Sequence, residues 1–330
     1  MRRFAILLFA LAPAFASADT DCKFIAHRDF DIDAAHLKDV AFRLGSSDLV
    51  VEGVPGLARV EVRGRACASE EAWLADLKID QHVSGDRLTL TPQQGRVTNW
   101  HWFESSYAYI DLEVSVPASM AIDVKASSGD AKVRDVASLA YDGSSGDLIA
   151  DKIAGLLVLE LSSGDVQARD VGSADVRTVS SGDLTLRDVR GDVQVGRVGS
   201  GDLRLDNVGG GVTIGNVGSG DVAIGHVERD IRVDSLGSGD LDVADVGGDF
   251  RLQRKGSDIF QRISARWSPV PKSNLPGATR RNSRSPSKEF KRGWRPNIPP
   301  SCRGTCASDL RWCLPRRNKS GSPARNWPLV

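Results

Sequence analysis

The sequence predicts an all-β fold, a parallel β-solenoid (β-helix) with coils of about 19 residues, a β-rich N-terminal cap and a disordered C-terminal tail. Three observations predict it. A tetrapeptide recurs at a nearly constant interval, short alternating apolar segments follow each copy, and the composition changes abruptly where the repeat ends. Self-similarity at a fixed period is typical of proteins that stack one structural unit on the next.

The repeated tetrapeptide is Ser-Ser-Gly-Asp in its first four copies and Gly-Ser-Gly-Asp in the next three. Glycine reaches positive φ at little cost, so we expect a sharp corner of the chain at each copy. The residues predicted to form these structural turns are Gly129, Asp130, Gly146, Asp147, Gly164, Asp165, Gly182, Asp183, Gly201, Asp202, Gly220, Asp221, Gly239 and Asp240.

Each corner is followed by a short segment in which apolar residues alternate with others. Alternation places Leu184, Leu186 and Val189 on an inward face, and Thr185 and Arg187 on the outward face. A weaker half-repeat follows, so each coil contains two strands. Strands this short bury their apolar face only by stacking. An antiparallel β-sandwich also suits short strands, but it gives no reason for an identical tetrapeptide at every second turn.

The segment 1–18 is predicted to be a secretory signal peptide. Arg2 and Arg3 precede the apolar run Phe4–Phe15, and small residues follow at Ala16–Ala18. The alternative is a buried N-terminal helix. The run is too short to span a membrane, and no other segment is apolar enough. We therefore expect an exported protein of the periplasm or cell surface.

Export permits disulfides, and the predicted pair is Cys22 with Cys67. The alternative is two free buried thiols. The remaining cysteines are Cys302, Cys306 and Cys313, which lack the paired spacing and histidines of a zinc site.

Residues 19–120 repeat less clearly and are predicted to form the cap that covers the first coil. Gly45–Val51 is similar to a degenerate coil, Ser84–Asp86 to a hairpin turn, and Tyr107–Val116 to an alternating strand. Ser69–Leu77 is predicted to hold one or two helical turns.

Five aromatic residues concentrate near the end of the cap: Trp100, Trp102, Phe103, Tyr107 and Tyr109. They predict packing of the cap against the first coil. The alternative is a stacking platform for a sugar or a partner.

The solenoid domain is predicted to cover 121–258, and a basic segment rich in Pro, Arg and Ser follows at 259–330. That segment holds 16 Lys and Arg against 2 acidic residues, whereas 1–258 holds 27 basic and 41 acidic residues. The repeat breaks in mid-motif near Ser257. We interpret the segment as out of frame through a nucleotide deletion; the alternative is a genuine basic tail that binds lipopolysaccharide or nucleic acid. Both predict disorder.

The repeated aspartates are expected to stack along one edge of the solenoid. We expect each carboxylate to accept hydrogen bonds from backbone N–H groups of its own corner. Calcium, as in glycine-rich β-rolls, is the alternative, but the Gly–Asp spacing and the period both differ from that motif. No catalytic, metal or cofactor-binding residue is predicted. The histidines are scattered without ligand spacing at His27, His36, His82, His101 and His226.

The span 114–255 resembles the bacterial "putative adhesin" family of exported domains. Val116-Pro117, Ile122–Val124 and the Ser-Gly-Asp coils that begin at Ser127 carry the resemblance. It implies a right-handed β-solenoid at the cell envelope and supplies no catalytic residues.

The function predicted from these features is an exported adhesin-like, scaffold or interaction protein without catalytic activity. Its predicted partner is an unknown macromolecule or glycan of the envelope, and no nucleic acid is expected. The alternative is a carbohydrate-active enzyme, a polysaccharide lyase or hydrolase, on the same scaffold. The sequence carries no signal for an oligomeric state.

Overall fold

The computed structural model describes residues 22–94 and 106–256 and the backbone of 261–264. The predicted signal peptide, Trp100, Trp102, Phe103 and nearly all of the basic C-terminal segment lie outside the described residues. Apart from one 3₁₀ turn at Glu71–Ala75, the regular structure of the described part is β-strand. The strands are β1 Phe24–His27, β2 Phe30–Asp33, β3 Asp39–Arg43, β4 Leu49–Val54, β5 Arg59–Ala68, β6 Ile79–Ser84, β7 Arg87–Pro92, β8 Ala108–Pro117, β9 Ala121–Ala126, β10 Ala131–Val136, β11 Ser138–Gly143, β12 Leu148–Leu161, β13 Val166–Val179, β14 Leu184–Val189, β15 Val193–Val198, β16 Leu203–Val208, β17 Val212–Val217, β18 Val222–Val227, β19 Ile231–Leu236, β20 Leu241–Val246, β21 Phe250–Lys255 and β22 Gln261–Ser264.

The strands form two stacks of parallel pairings, which confirms the predicted solenoid. The first stack is β8, β4, β10, β12, β13, β14, β16, β18, β20 and β22. The second stack is β7, β3, β9, β11, β12, β13, β15, β17, β19 and β21. The long strands β12 and β13 continue from the first stack into the second.

Spatial order departs from chain order at the N-terminal end. The coil made of β3 and β4 lies between the coil made of β7 and β8 and the coil made of β9 and β10. Parallel stacking therefore already includes strands from residues 19–120. Antiparallel strands cover this end, because β5 pairs with β8, β6 pairs with β7, and β1 and β2 pair with β5.

The inward side chains of the two stacks form one apolar core. Leu184, Leu186 and Val189 are at most 1% exposed, as the alternation predicts. One coil carries a larger residue, Tyr141, whose hydroxyl donates to the carbonyl of Gly146 at 3.3 Å. A Cβ at Gly143 would collide with the Tyr141 ring, so glycine leaves the room that this coil needs.

The strands of the first stack bend near their ends. In β14, for example, two outward residues, Arg187 and Asp188, separate the inward Leu186 from the inward Val189. In seven successive coils the fifth residue after the corner glycine–aspartate pair has φ between 52° and 58°. This left-handed conformation is uncommon outside glycine, and Asn, Asp and His tolerate it best. The residues are Asp135, Lys152, Asp170, Asp188, Asn207, His226 and Asp245.

Two local predictions for the cap agree with the structure. β6 and β7 form a hairpin through Gly85 and Asp86, and Gly85 has φ of 63° at the first central position. The 3₁₀ turn Glu71–Ala75 lies within the segment predicted to be helical, and its Trp73 is buried.

Candidate functional surface: the corners and faces of the solenoid

The corner glycines are required because each lies very close to the backbone of the neighbouring coil. The sequence predicted that they would have positive φ, and this is wrong. Among the described residues, only Gly56 and Gly85 are glycines with positive φ. A Cβ on Gly201 would instead lie far inside contact distance of the Gly182 carbonyl oxygen, and the same holds from coil to coil. Because the neighbour is backbone, it cannot move aside as a side chain could. Ser47 holds this place in the coil that contains β4, and its side chain is buried.

The corner aspartates form a ladder between coils. Asp221 donates its backbone N–H to Oδ1 of Asp202, and Asp202 donates to Oδ1 of Asp183, both at 2.9 Å. The predicted acceptor role is correct, but the predicted donor is wrong, because the N–H comes from the next coil and not from the same corner. The same bond, at 2.8–3.0 Å, joins successive aspartates at Asp48, Asp130, Asp147, Asp165, Asp183, Asp202, Asp221 and Asp240.

This arrangement explains how like charges stack at a spacing of about 4.8 Å between strands. Each backbone N–H directs a partial positive charge at one carboxylate oxygen, and charge-assisted bonds of this kind are stronger than neutral ones. The ladder therefore holds the coils in register while it exposes a row of carboxylates along one edge.

Sequence reasoning missed the N-terminal end of the ladder, where Asp111 precedes the part of β8 that pairs with β4. Burial raises the pKa of Asp111, the charge of Asp48 raises it further, and the pKa is lowered by Arg65 and by a backbone hydrogen bond from Asp48. The guanidinium of Arg65 lies 3.4 Å from the carboxylate. The last carboxylate before the cap thus has a cation beside it. β5, the 3₁₀ turn, β6 and β7 lie between β4 and β8 in the chain. Asp111 is therefore far from the regular spacing of the other corner aspartates, and the sequence alone does not group it with them.

A second, shorter ladder follows the other corner of the coil and was also missed. Asp192 accepts the backbone N–H of Gly211, and Asp230 accepts that of Asp249, both at 2.8 Å. The sequence does indicate this ladder, because Asp192, Gly211, Asp230 and Asp249 follow one another at intervals of 19 residues. Gly211 interrupts the row of carboxylates.

Outward side chains of the first stack pair between neighbouring coils. Arg134 contacts Glu52 at 2.7 Å, and Arg169 contacts Asp151 at 3.1 Å. The hydrogen bond to Asp151 is the main cause of the raised pKa of Arg169. Exposed pairs of this kind contribute little stability each. They define a flat face of charged and polar side chains.

His226, predicted to be a surface residue, is exposed and bridges three coils. Its Nδ1 lies 2.9 Å from Oδ1 of Asp206 and its Nε2 lies 3.3 Å from Oδ2 of Asp245. The hydrogen bond with Asp206 is the main cause of the raised pKa of His226. Its left-handed backbone directs the imidazole along the stack.

At the N-terminal end of the solenoid, Cys22 and Cys67 form a disulfide with Cα atoms 5.8 Å apart, which ties the chain before β1 to β5. Two of the five predicted aromatic residues are described. The rings of Tyr107 and Tyr109 are 6.0 Å apart, and the Tyr107 hydroxyl accepts the backbone N–H of Lys23. Tyr107 thus holds the start of the described chain against β8.

Within residues 22–94 and 106–256, no cluster of three or more His, Cys, Asp or Glu side chains is placed to bind a metal ion. None of the helical structure in the described part is long and apolar enough to cross a membrane.

Comparisons with solved structures find matches at low identity. A "putative lipid binding protein" from Parabacteroides distasonis aligns over 74% of this chain and 96% of its own, with 14% identity and a TM-score of 0.45. A "putative adhesin" from Bacteroides fragilis aligns over 75% and 98%, with 13% identity and a TM-score of 0.35. A "putative cell adhesion protein" from Clostridium sporogenes aligns over 71% and 99%, with 12% identity and a TM-score of 0.29.

No curated protein matches the sequence. A protein-family model does, and its match covers the Ser-Gly-Asp coils on which the family resemblance was based, which confirms that resemblance. With residues 71–259 matched, the chain belongs to the Toastrack DUF4097 family.

Proposed function

We propose that this protein is exported and acts without catalysis, as an adhesin-like or scaffold protein that binds a macromolecule or glycan of the bacterial envelope. One observation carries the proposal: the coils bury their apolar side chains inward and expose two long faces of regularly spaced polar side chains. Solenoid proteins use such extended surfaces for binding.

Two features support export. The segment 1–18 has the charge, apolar run and small residues of a signal peptide. A few residues later, Cys22 is bonded to Cys67 in the structure. Disulfides persist in oxidising compartments such as the periplasm and the cell surface.

The use of the carboxylates supports a binding role over catalysis. Each corner aspartate from Asp48 to Asp221 holds a backbone N–H of the next coil with one of its oxygens. Hydrolysis of glycosidic bonds needs an acid and a second carboxylate in distinct environments at one place. Repeated corner aspartates have nearly identical environments.

The test begins with expression of the full chain, with its native N-terminus, in a Gram-negative host. We expect a periplasmic or surface product that begins at Asp19 and carries the Cys22–Cys67 bond by mass spectrometry. The purified product is then applied to immobilised lipopolysaccharide, peptidoglycan and capsular polysaccharide, and reducing ends are assayed in the same wells.

We expect saturable binding to at least one of these glycans without release of reducing ends. Release of reducing ends would instead establish a carbohydrate-active enzyme. Cytoplasmic retention with the N-terminus intact, or a lack of binding to every envelope fraction, would contradict the proposal.

A further inference from the structure

In the last coils the outward face of the second stack is cationic. The outward positions of β15, β17, β19 and β21 hold four arginines against one acid, Asp234. The remaining positions are uncharged. We call this surface the arginine face, and its residues are Gln194, Gly196, Arg197, Thr213, Gly215, Asn216, Arg232, Asp234, Ser235, Arg251, Gln253 and Arg254.

The opposite face of the same coils has the opposite sign. The outward positions of β14, β16, β18 and β20 hold four aspartates against two arginines and one histidine: Asp188, Asp206, Asp242 and Asp245 against Arg187, Arg204 and His226. In these last coils of the solenoid, a polyanion is therefore attracted to the outward face of the second stack and repelled from that of the first stack.

The arginine face has positive charge available for a ligand. Arg197 and Arg254 are exposed and form no ion pair with any described residue. Arg232 and Arg251 are register partners in neighbouring strands, about 4.8 Å apart, so their like charges repel. Each has one nearby carboxylate, Arg232 on Asp234 at 2.9 Å and Arg251 on Asp249 at 3.3 Å.

Arg232 and Arg251 border a trough of about 350 Å³ that also includes Gln194 and Thr213. At the corner side of the trough lie Asp192, Asp230 and Arg229, and Arg229 is 3.9 Å from Asp192. Both side chains are about half exposed, 52% and 53%. Gln194, Thr213, Arg232 and Arg251 occupy equivalent register positions in four successive strands. A linear polymer laid along the axis of the solenoid would meet them one after another.

The side chains between the arginines select the chemistry of that polymer. Gln194, Thr213, Asn216 and Ser235 donate and accept hydrogen bonds, which suits the hydroxyl groups of a sugar. The outward positions of β15, β17, β19 and β21 carry no aromatic side chain on which nucleobases could stack. The large exposed apolar side chains of the described part, which membrane insertion would need, lie elsewhere at Ile25, Val50, Val83, Ile149 and Leu156.

From this combination we infer that the arginine face binds an anionic polysaccharide that runs along the solenoid axis. Arginine pairs with carboxylates and phosphates through two parallel hydrogen bonds. Equivalent positions in successive strands repeat about every 4.8 Å along the solenoid axis, so an extended chain meets them in turn. The inference rests on the proposed envelope-binding function and specifies its ligand class and its surface.

The test compares two full-length double variants that each lose two arginines without a described ion pair. Arg197→Gln with Arg254→Gln removes charge from the arginine face, and Arg187→Gln with Arg204→Gln removes the same charge from the first stack. The basic C-terminal segment is present in all proteins and contributes the same background. The probes are polygalacturonate, uncharged dextran and single-stranded DNA, and thermal unfolding verifies that both variants fold.

We expect the first variant to bind polygalacturonate about tenfold more weakly and to lower the slope of log affinity against log salt by about two. The second variant should change affinity by about twofold at most, since its arginines face the other side. Equal losses in the two variants, no loss in the first, or an equal loss of DNA binding would overturn the inference. If the wild type binds an uncharged glycan of the envelope and neither polygalacturonate nor any anionic envelope glycan, the inference fails and the proposed function stands.

Discussion

The two halves of each coil are built on different contacts. In the first half, the corner glycine lies directly against the backbone of the next coil, so that a Cβ on Gly201 would meet the carbonyl of Gly182. In the second half, positions 210, 229 and 248 are equivalent in three successive coils. They are occupied by Gly210, Arg229 and Gly248. The nearest atom to a Cβ on Gly211 would be 3.2 Å away. A Cβ on Gly210 would also lie 2.4 Å from the Gly191 carbonyl, but Arg229 shows that this second corner accepts a side chain. The identical tetrapeptides are confined to the first corner, where the approach is closer, 1.9 Å at Gly201.

The largest expected effect separates the two corners directly. Gly201→Ala should destabilise the protein by about 3 kcal/mol, because its Cβ has only backbone to displace. Gly211→Ala makes the same chemical change and should shift stability by less than about 1 kcal/mol, since the flexibility lost by the unfolded chain offsets a tight contact. Thermal and urea unfolding followed by circular dichroism measure both. Similar losses in the two variants would show that the corners do not differ.

A second pair of variants compares the strand bends. Asn207 and Asn216 occupy the same position in successive half-coils, but only Asn207 has positive φ, 58°. Asn207→Val should cost about 1–2 kcal/mol, because a β-branched residue is strained there. Its hydrogen bond to Asp188, at 2.6 Å, is lost as well.

Asn216→Val is the matched control, because it lies in an ordinary strand conformation where valine is favoured. It should change the unfolding free energy by less than about 0.5 kcal/mol. A loss in Asn216→Val as large as that in Asn207→Val would mean that the left-handed bend stores no strain.

Sequence periodicity was sufficient for the strands and not for the bonds between coils. Alternation placed Leu184, Leu186 and Val189 inward because burial acts on each side chain separately. The role of Gly201 could not be read in the same way, because a close approach depends on what lies in the next coil. For the same reason, the donor to Asp202 was assigned to its own corner and not to Asp221.

The arginine face shows the same limit. Arg197, Arg232, Arg251 and Arg254 are scattered along the last coils, and nothing in the sequence singles them out as a group. They become neighbours only when the register of four strands is known. The alternating cations and anions of the linear sequence separate into faces because each coil places its two strands on opposite sides.

The third comparison concerns the two carboxylate ladders. Asp202 has a carboxylate above and below it, at Asp183 and Asp221, whereas the equivalent neighbours of Asp192 are Ser173 and Gly211. Asn keeps the acceptor oxygen and removes the charge. Asp202→Asn should therefore be more stable than Asp192→Asn by about 1 kcal/mol at low salt. The first relieves repulsion on both sides, whereas the second relieves none in its row and loses the attraction to Arg229, 3.9 Å away.

Measuring the unfolding free energies of Asp202→Asn and Asp192→Asn at several salt concentrations distinguishes an electrostatic cause from a difference in hydrogen-bond strength. Repulsion between exposed charges is largely screened near 1 M salt, where the Debye length is about 3 Å. The difference between the two variants should then fall towards zero. A difference that is unchanged by salt would show that the ladders differ in bond strength and not in repulsion.

The smallest expected effect is the pH dependence of the bend at His226. Its pKa is raised above 6.5, mainly by the hydrogen bond with Asp206, so the folded protein binds this proton more tightly than the unfolded chain does. The stabilisation is complete below the unfolded value of about 6.5 and is lost as pH rises through the folded value. The measurement is the thermal midpoint of the wild type minus that of His226→Asn, which should be larger at pH about 5.5 than at pH about 8.5.

His226→Asn isolates the charge, because asparagine tolerates the same positive φ and does not titrate in this range. The matched control is Asn216→His, which introduces the imidazole where the backbone is ordinary. It should lack the gain in stability at low pH, because its register neighbours are Arg197 and Ser235 and neither is a carboxylate. A midpoint difference that is constant with pH would show that the bridge from His226 to Asp206 and Asp245 holds no proton in solution and that the bend alone orders these coils.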